Sequence, residues 1–157
     1  MQLSNKIIRI MNKLNNIASN SEMNIKHAAG LIKSGKLIDF SVNSHRSTYK
    51  LNGTHFIQCS LHAEVAVLRK LIYNLEKNKK LKNRKINKYS LIVIRENYSN
   101  SLPCKHCSDL IKKAGISKIY YSNGNLNQCI LTKSKVKDLK SNHQSRAVLI
   151  SKNYLVN

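Results

Sequence analysis

The chain has 157 residues, which is enough for one domain with a buried core and too few to expect two. It carries 28 Lys and Arg residues against 7 Asp and Glu residues, a formal net charge of +21, so a polyanion is the natural partner. No apolar run is long enough to cross a bilayer, and the first residues lack the pattern of a secretory signal. These features predict a soluble intracellular protein, in the cytoplasm or nucleus, without a membrane-spanning segment or a disulfide framework.

The first predicted elements are a helix and a β-hairpin. Apolar residues recur at helical spacing over residues 3–18, namely Leu3, Ile7, Met11, Leu14 and Ala18. Residues 20–24 break this pattern. A strand over about residues 25–32, a turn at 33–36 and a returning strand to about Val42 then follow.

Residues 44–58 contain few apolar side chains, and we expect them to form a loop beside the functional site. Arg46 lies in this stretch. Its planar guanidinium group matches phosphate oxygens, so one interpretation is that it binds a substrate phosphate. An exposed arginine without a specific partner is the alternative.

A second helix is predicted to follow Ser60, which is a favourable N-cap residue. Its predicted buried face consists of Val65, Ala66, Leu68, Leu71, Ile72 and Leu75. A basic run without an acidic residue occupies residues 77–88. Its charges are either solvated or form an electrostatic footprint for nucleic acid, with phosphate contacts from Lys79, Lys80, Lys82, Arg84 and Lys85. No aromatic residue interrupts the run, so base stacking is not predicted there.

The remaining elements alternate between strand and helix. Residues 89–95 hold an apolar run typical of a central strand. Pro103 is predicted to be the first residue of a third helix that ends near Ala114, with Gly115 after its C-terminus. A strand over residues 116–121 follows. Asn123-Gly124 then predicts a two-residue turn into an antiparallel strand over residues 125–132.

Two short segments carry the chemistry. The first is His62-Ala63-Glu64, and the second is Pro103-Cys104-Lys105-His106-Cys107. Zinc takes about four tetrahedral ligands, and a catalytic zinc site typically has three from protein and leaves one position for water. His62, Cys104 and Cys107 supply three. Glu64 then remains as a base within reach of that water, which predicts zinc as cofactor and hydrolytic chemistry.

Three other interpretations of these segments stay open. Cys59 would convert the cluster into a closed structural zinc site if it filled the fourth position. Cys104 and Cys107 would form a redox pair in a protein without the metal. Glu64 would only stabilise the helix dipole if it took no part in chemistry. The matched spacing of both segments favours the catalytic site.

A histidine and glutamate separated by one residue, followed by Pro-Cys-x-x-Cys, is the signature of zinc-dependent nucleobase deaminases. On these motifs, and from about residue 24 to residue 121, the chain resembles the cytidine and deoxycytidylate deaminase superfamily. The resemblance implies an α/β protein with a three-layer α/β/α fold, whose mixed sheet has about five strands. With the predicted last hairpin, that sheet ends in an antiparallel pair. We expect a single domain, with an N-terminal helix over 1–20, a deaminase core over 24–132 and a basic segment over 133–157.

The resemblance also implies roles for individual residues. Asn43 matches the asparagine that ends the family's first hairpin and contacts the substrate. Ala63 and Pro103 are further implied substrate contacts, and Glu64 is the implied proton carrier. The implied substrate is a cytidine-type nucleoside or nucleotide, and a homo-oligomer is implied as well.

Three functions compete at this point. The first is deamination of cytosine in cytidine or its ribo- or deoxyribonucleotides. The second is deamination within RNA or single-stranded DNA, which the net charge of +21 favours. The third is a basic nucleic-acid-binding protein on a deaminase scaffold, with little or no catalysis.

Overall fold

The computed structural model describes residues 4–51, 55–77, 86–124 and 130–143. The helices within these ranges are α1 (Asn5–Ala18), α2 (Ala63–Lys77) and α3 (Lys105–Lys113). The strands are β1 (His27–Lys33), β2 (Lys36–Val42), β3 (Ser44–Leu51), β4 (His55–Leu61), β5 (Tyr89–Arg95), β6 (Lys118–Ser122) and β7 (Leu131–Lys135). No described helix combines the length and the apolar character needed to cross a membrane.

Five of the strands form a mixed sheet in the order β2-β1-β5-β6-β7. The strands β5 and β6 are parallel, with α3 in the connection between them, and the other neighbouring pairs are antiparallel. The last pair, β6 with β7, is antiparallel as the sequence predicts. The predicted α/β fold class with a mixed sheet of five strands is therefore confirmed.

The central strand β5 supplies both cores of the protein. Because successive side chains of a strand point to opposite faces, its residues alternate between the two sides of the sheet. Leu91 and Val93 pack in the cluster that contains the buried residues of α2 and α3. Ile92 and Ile94 pack in the cluster that contains the buried face of α1, including Leu14. The sheet thus lies between α1 on one face and α2 with α3 on the other.

The predicted loop over residues 44–58 is wrong. These residues belong largely to β3 and β4, which form a separate antiparallel pair. The stretch contains Thr, Tyr, Phe and Ile, which favour strands. The prediction gave more weight to its small number of apolar residues than to this strand preference.

Both helices near the predicted zinc site begin later than expected. Ser60 lies in β4 and is no N-cap, because strand pairing continues to Leu61, which is opposite Ser44. Pro103 precedes the N-cap of α3, and that N-cap is Cys104. On α2, Ile72 is 43% exposed, so the buried stripe is narrower than predicted.

The last hairpin has a longer connection than the Asn123-Gly124 signal predicts. Asn123 N–H donates to Ile130 O at 2.8 Å, and Ser122 lies opposite Leu131 in the sheet, so the chain does not turn back directly after Asn123-Gly124. Within the described residues the return strand is β7, which begins at Leu131. Residues 125–129 of the strand predicted over 125–132 lie outside the described ranges.

Some predictions fall on residues that the structure does not describe. Lys79, Lys80, Lys82, Arg84 and Lys85 lie outside the described ranges, and so does most of the basic segment over 133–157. The division of the chain at 1–20, 24–132 and 133–157 stays a prediction.

We expect replacement of Leu14 by alanine to destabilise the whole domain, since Leu14 is fully buried between α1 and the sheet. The free energy of unfolding should fall by about 2–5 kcal/mol, as for other large-to-small core changes. Ile8→Ala on the same helix is the matched control. Ile8 is 37% exposed, and its replacement should cost less than about 1 kcal/mol. Urea unfolding of both variants measures the difference, and equal losses would contradict the packing of α1 described above.

Candidate metal centre

Two helix N-termini meet at one end of the sheet. His62 directly precedes α2, and its carbonyl accepts a hydrogen bond from Ala66 N–H at 3.0 Å. Cys104 is the N-cap of α3, and its Sγ accepts from Cys107 N–H at 3.5 Å. Because a helix N-terminus carries partial positive charge, it favours thiolate over thiol at Cys104.

The three predicted ligands come together. His62 Nδ1 lies 3.2 Å from Cys107 Sγ and 3.7 Å from Cys104 Sγ. In the part of the chain that the structure describes, these residues form the one cluster of three possible metal ligands, with all ligand atoms within 4.8 Å of one another. Tetrahedral zinc with ordinary Zn–N and Zn–S bonds would place nitrogen and sulfur about 3.6 Å apart. The cluster therefore fits zinc in both geometry and donor type.

Hydrogen-bond contacts link the ligand side chains. A hydrogen bond from Cys107 is the main cause that lowers the pKa of Cys104 to about 3. The same contact raises the pKa of Cys107, and the hydrogen bond with Cys104 raises the pKa of His62. One thiolate is thus present at neutral pH beside a basic imidazole. A metal ion that binds here displaces the remaining protons, so we expect its affinity to rise with pH.

Glu64 is the buried acidic residue next to these ligands. It lies in the first turn of α2 and is 6% exposed. Burial is the largest influence on its carboxyl group and raises its pKa. A carboxyl group shielded from water in this way is suited to hold a proton and release it again.

A serine network holds the segment that leads to Cys104. Ser101 Oγ donates to Val93 O at 2.7 Å and accepts from Ser122 N–H at 2.8 Å. Ser122 Oγ lies 2.6 Å from Ser99 O. These bonds connect the loop after β5 to the ends of β5 and β6, and so fix where Pro103 and Cys104 begin. Sequence reasoning missed this role, because nothing in the sequence distinguishes these serines from solvent-exposed ones.

A further contact comes from near the end of the described chain. Lys105 N–H is the first amide of α3 and donates to His143 O at 2.8 Å. The segment after β7 therefore reaches the same helix terminus that carries both cysteines.

Asn43 is 7% exposed and is bonded within the chain. Its Oδ1 accepts from His27 N–H at 2.8 Å and from Ser21 Oγ at 2.7 Å, and its Nδ2 donates to Ile25 O at 2.6 Å. The side chain thus holds the segment before β1 against the end of β2. Its contact with a substrate stays a prediction.

The other predicted site residues are placed as follows. Ala63 and Pro103 are buried beside the ligands that they adjoin in sequence. Arg46 lies in β3 and Cys59 in β4, but their side chains are outside what the structure describes. The substrate contacts, the phosphate role of Arg46 and the alternative of a fourth ligand from Cys59 all stay predictions.

His27 is a half-buried histidine at the same end of the sheet, opposite Arg95. Burial is the largest cause that lowers its pKa to about 4, followed by the charges of Arg95 and His62. His27 is therefore neutral at physiological pH.

One family model matches most of the chain. The family model of the cytidine and deoxycytidylate deaminase zinc-binding region matches residues 2–123. The crystal structure of cytidine deaminase from Burkholderia pseudomallei is similar, with a TM-score of 0.59 and 14% sequence identity, over 90% of this chain and 100% of that one. That likeness supports the fold. No curated protein matches the chain by sequence.

Two structures of the dCMP deaminase from cyanophage S-TIM5 also match. The complex with dCMP and dUMP has a TM-score of 0.49 and 22% identity, over 76% of this chain and 83% of that one. The apo form has a TM-score of 0.47 and 23% identity, over 78% of this chain and 86% of that one.

We expect Ser122→Ala to weaken both the fold and the metal centre, because it leaves buried polar groups of the loop without a partner. The free energy of unfolding should fall by about 1–3 kcal/mol, and zinc should bind more weakly. In the control Ser134→Ala, the lost hydroxyl contacts only the carbonyl of the neighbouring Lys135. Thermal unfolding and zinc competition with a chelator measure both effects. Wild-type zinc affinity in Ser122→Ala would contradict the positioning role.

We expect His27 to make the protein less stable as the pH falls from about 6.5 to about 4. Between these values the unfolded chain binds a proton that the folded chain excludes, so the free energy of unfolding falls, by up to about 3 kcal/mol. His27→Gln removes this contribution and should flatten the pH profile. Urea unfolding at several pH values measures it, and equal slopes for both proteins would refute the assignment of a neutral His27.

Proposed function

Since the chain belongs to the family of the cytidine and deoxycytidylate deaminase zinc-binding region, we propose that it is a zinc-dependent hydrolytic deaminase. Its proposed reaction converts cytosine to uracil in cytidine or in cytidine ribo- or deoxyribonucleotides. The observation that carries the proposal is the cluster of His62, Cys104 and Cys107 beside the buried Glu64.

His62, Cys104 and Cys107 would hold the zinc ion, with one nitrogen and two sulfur donors. Zinc bound there supplies the Lewis acidity that makes a water molecule a good nucleophile near neutral pH. Helix N-termini at His62 and Cys104 keep the donors in place and favour the charged form of the sulfur atoms. The chain thus provides three donors at the N-termini of two helices that pack on the same face of the sheet.

Glu64 has the proposed role of proton carrier. In the overall reaction water and cytosine give uracil and ammonia: a C4–O bond forms and the bond from C4 to the amino nitrogen breaks. The carboxylate takes a proton from the water molecule and delivers it to N3 of the base, and a later proton goes to the leaving amino group. Because Glu64 is 6% exposed, bulk water does not compete for these transfers.

The predicted substrate contacts belong to the same proposal. Asn43, Ala63 and Pro103 lie near the metal-binding residues in sequence or at the same end of the sheet. Arg46 is the proposed partner for the phosphate of a nucleotide. A homo-oligomer is part of the proposal as well, and sedimentation of the purified protein tests it.

A second candidate is deamination of cytosine within RNA or single-stranded DNA. The observation that favours it is the net charge of +21. In that case the target base has to be unpaired or flipped out of its stack to reach the metal centre.

We expect Glu64→Gln to keep zinc but to lose deaminase activity by about 10²–10⁴-fold, the usual contribution of an acid–base group. His62→Ala should lose zinc and activity together. His106→Ala is the matched control, because His106 lies between the two cysteines but is exposed and outside the cluster. It should keep both. Zinc content and uracil formation are measured with cytidine, dCMP and a cytosine-bearing single strand.

The substrates distinguish the candidates. Uracil from cytidine or dCMP supports the proposal, and uracil from the single strand alone supports the second candidate. Bound zinc without product from any substrate would favour a nucleic-acid-binding protein on a deaminase scaffold.

A further inference from the structure

Lysines line the end of the sheet that is opposite to the metal centre. We call this group the lysine edge, and it consists of Lys33, Lys36, Lys118 and Lys135. In the strand register Lys33 is opposite Lys36 on one side and Tyr89 on the other, and Lys118 is opposite Ser90 and Lys135. The group thus reaches from β2 at one border of the sheet to β7 at the other, as two cross-strand pairs. Because Tyr89 and Ser90 are consecutive in β5, Lys33 and Lys36 lie on the face of α2 and α3, and Lys118 and Lys135 lie on the face of α1.

Two further lysines lie next to the lysine edge. Lys88 directly precedes β5 and is exposed. Lys6 is exposed at the start of α1, and its Cδ lies 3.5 Å from the position that a Cβ on Gly35 would take, in the turn between Lys33 and Lys36. The positive charge at this end therefore comes from a helix, a turn and several strands that are far apart in sequence.

The lysine edge is separate from the metal centre. His27 and Arg95 mark the end of the sheet near the metal, and Lys33 and Tyr89 mark the other end of the same two strands. At about 3.3 Å per residue these ends are about 20 Å apart. A molecule bound at the lysine edge therefore does not occupy the metal centre.

Repulsion between these lysines lowers the stability of the folded chain. Lys33 and Lys36 are directly opposite each other, and so are Lys118 and Lys135. Like charges in such cross-strand positions destabilise a sheet. Among the described residues the one ion pair is Lys70 with Asp39, so no described acidic side chain forms an ion pair with a lysine of this edge. A ligand with regularly spaced negative charges would relieve this repulsion.

We propose that the lysine edge binds the sugar–phosphate backbone of nucleic acid. Adjacent strands lie about 4.8 Å apart, so the two lysine pairs together span about 19 Å from β2 to β7. A linear polymer with a phosphate every few ångströms can contact both pairs, which a single phosphate group cannot do. The binding is independent of base sequence, because the aromatic ring at the edge, Tyr89, is 6% exposed and lies under Lys33 Nζ at 4.9 Å. It holds the protein on nucleic acid without placing a base at the metal centre.

The test compares two triple variants that have the same net charge. The edge variant combines Lys36→Gln, Lys118→Gln and Lys135→Gln. The control variant combines Lys13→Gln, Lys26→Gln and Arg69→Gln, which lie on α1, before β1 and on α2. Binding to a 30-base single strand and to a 30-base-pair duplex of mixed sequence is measured over a range of salt concentrations. Since no turnover is needed, the result does not depend on the proposed deaminase activity.

For the edge variant we expect the slope of log affinity against log salt to become shallower by about two to three with either nucleic acid, as for three lost phosphate contacts. The control should change the slope by less than about one. Thermal unfolding should show an edge variant at least as stable as wild type, because like-charge repulsion has been removed, and its zinc content should be unchanged. Equal slopes for the two variants would overturn the proposal. So would binding to phosphatidylserine vesicles that depends on the edge lysines while nucleic-acid binding does not.

Discussion

The meeting of two helix N-termini at one end of the sheet is the constraint on which the metal centre depends. Neither α2 nor α3 holds a complete ligand set, and the cluster exists because the parallel strands β5 and β6 require α3 to cross between them and to begin at that end. The helix termini also supply partial positive charge at the sulfur ligands. Fold and metal chemistry are coupled in this way, and the serine network around Ser122 stabilises the same point.

Sequence reasoning succeeded where local pattern and tertiary structure agree. The strand β5 was predicted with its observed bounds, because a short continuous run of apolar residues is typical of a strand that is buried on both faces. The three possible zinc ligands were found because metal geometry restricts residue type and spacing together. The antiparallel last hairpin was also predicted correctly, although its connection is longer than two residues.

The failures share a different physical cause. The pair β3 and β4 was missed because most residues of β3 are polar, and the short alternation of Ile57, Cys59 and Leu61 in β4 is too brief to predict a strand by itself. The network of Ser101 and Ser122 was missed because it depends on contacts between residues that are distant in sequence. The bonding of Asn43 to the segment before β1 belongs to the same class. Such contacts appear only when the chain is folded.

The order in which the chain is synthesised gives these long-range contacts a further consequence. Proteins are made from the N-terminus, and domains begin to fold during synthesis. His62, Cys104 and Cys107 leave the ribosome before Ser122, which fixes the loop that leads to Cys104, and before His143, which caps the first amide of α3. A nascent chain therefore has a complete set of ligands before it has the groups that hold them in place. Early zinc binding by such a chain would nucleate the contact between α2 and α3. The strands that form later would then stabilise a metal centre that already holds zinc.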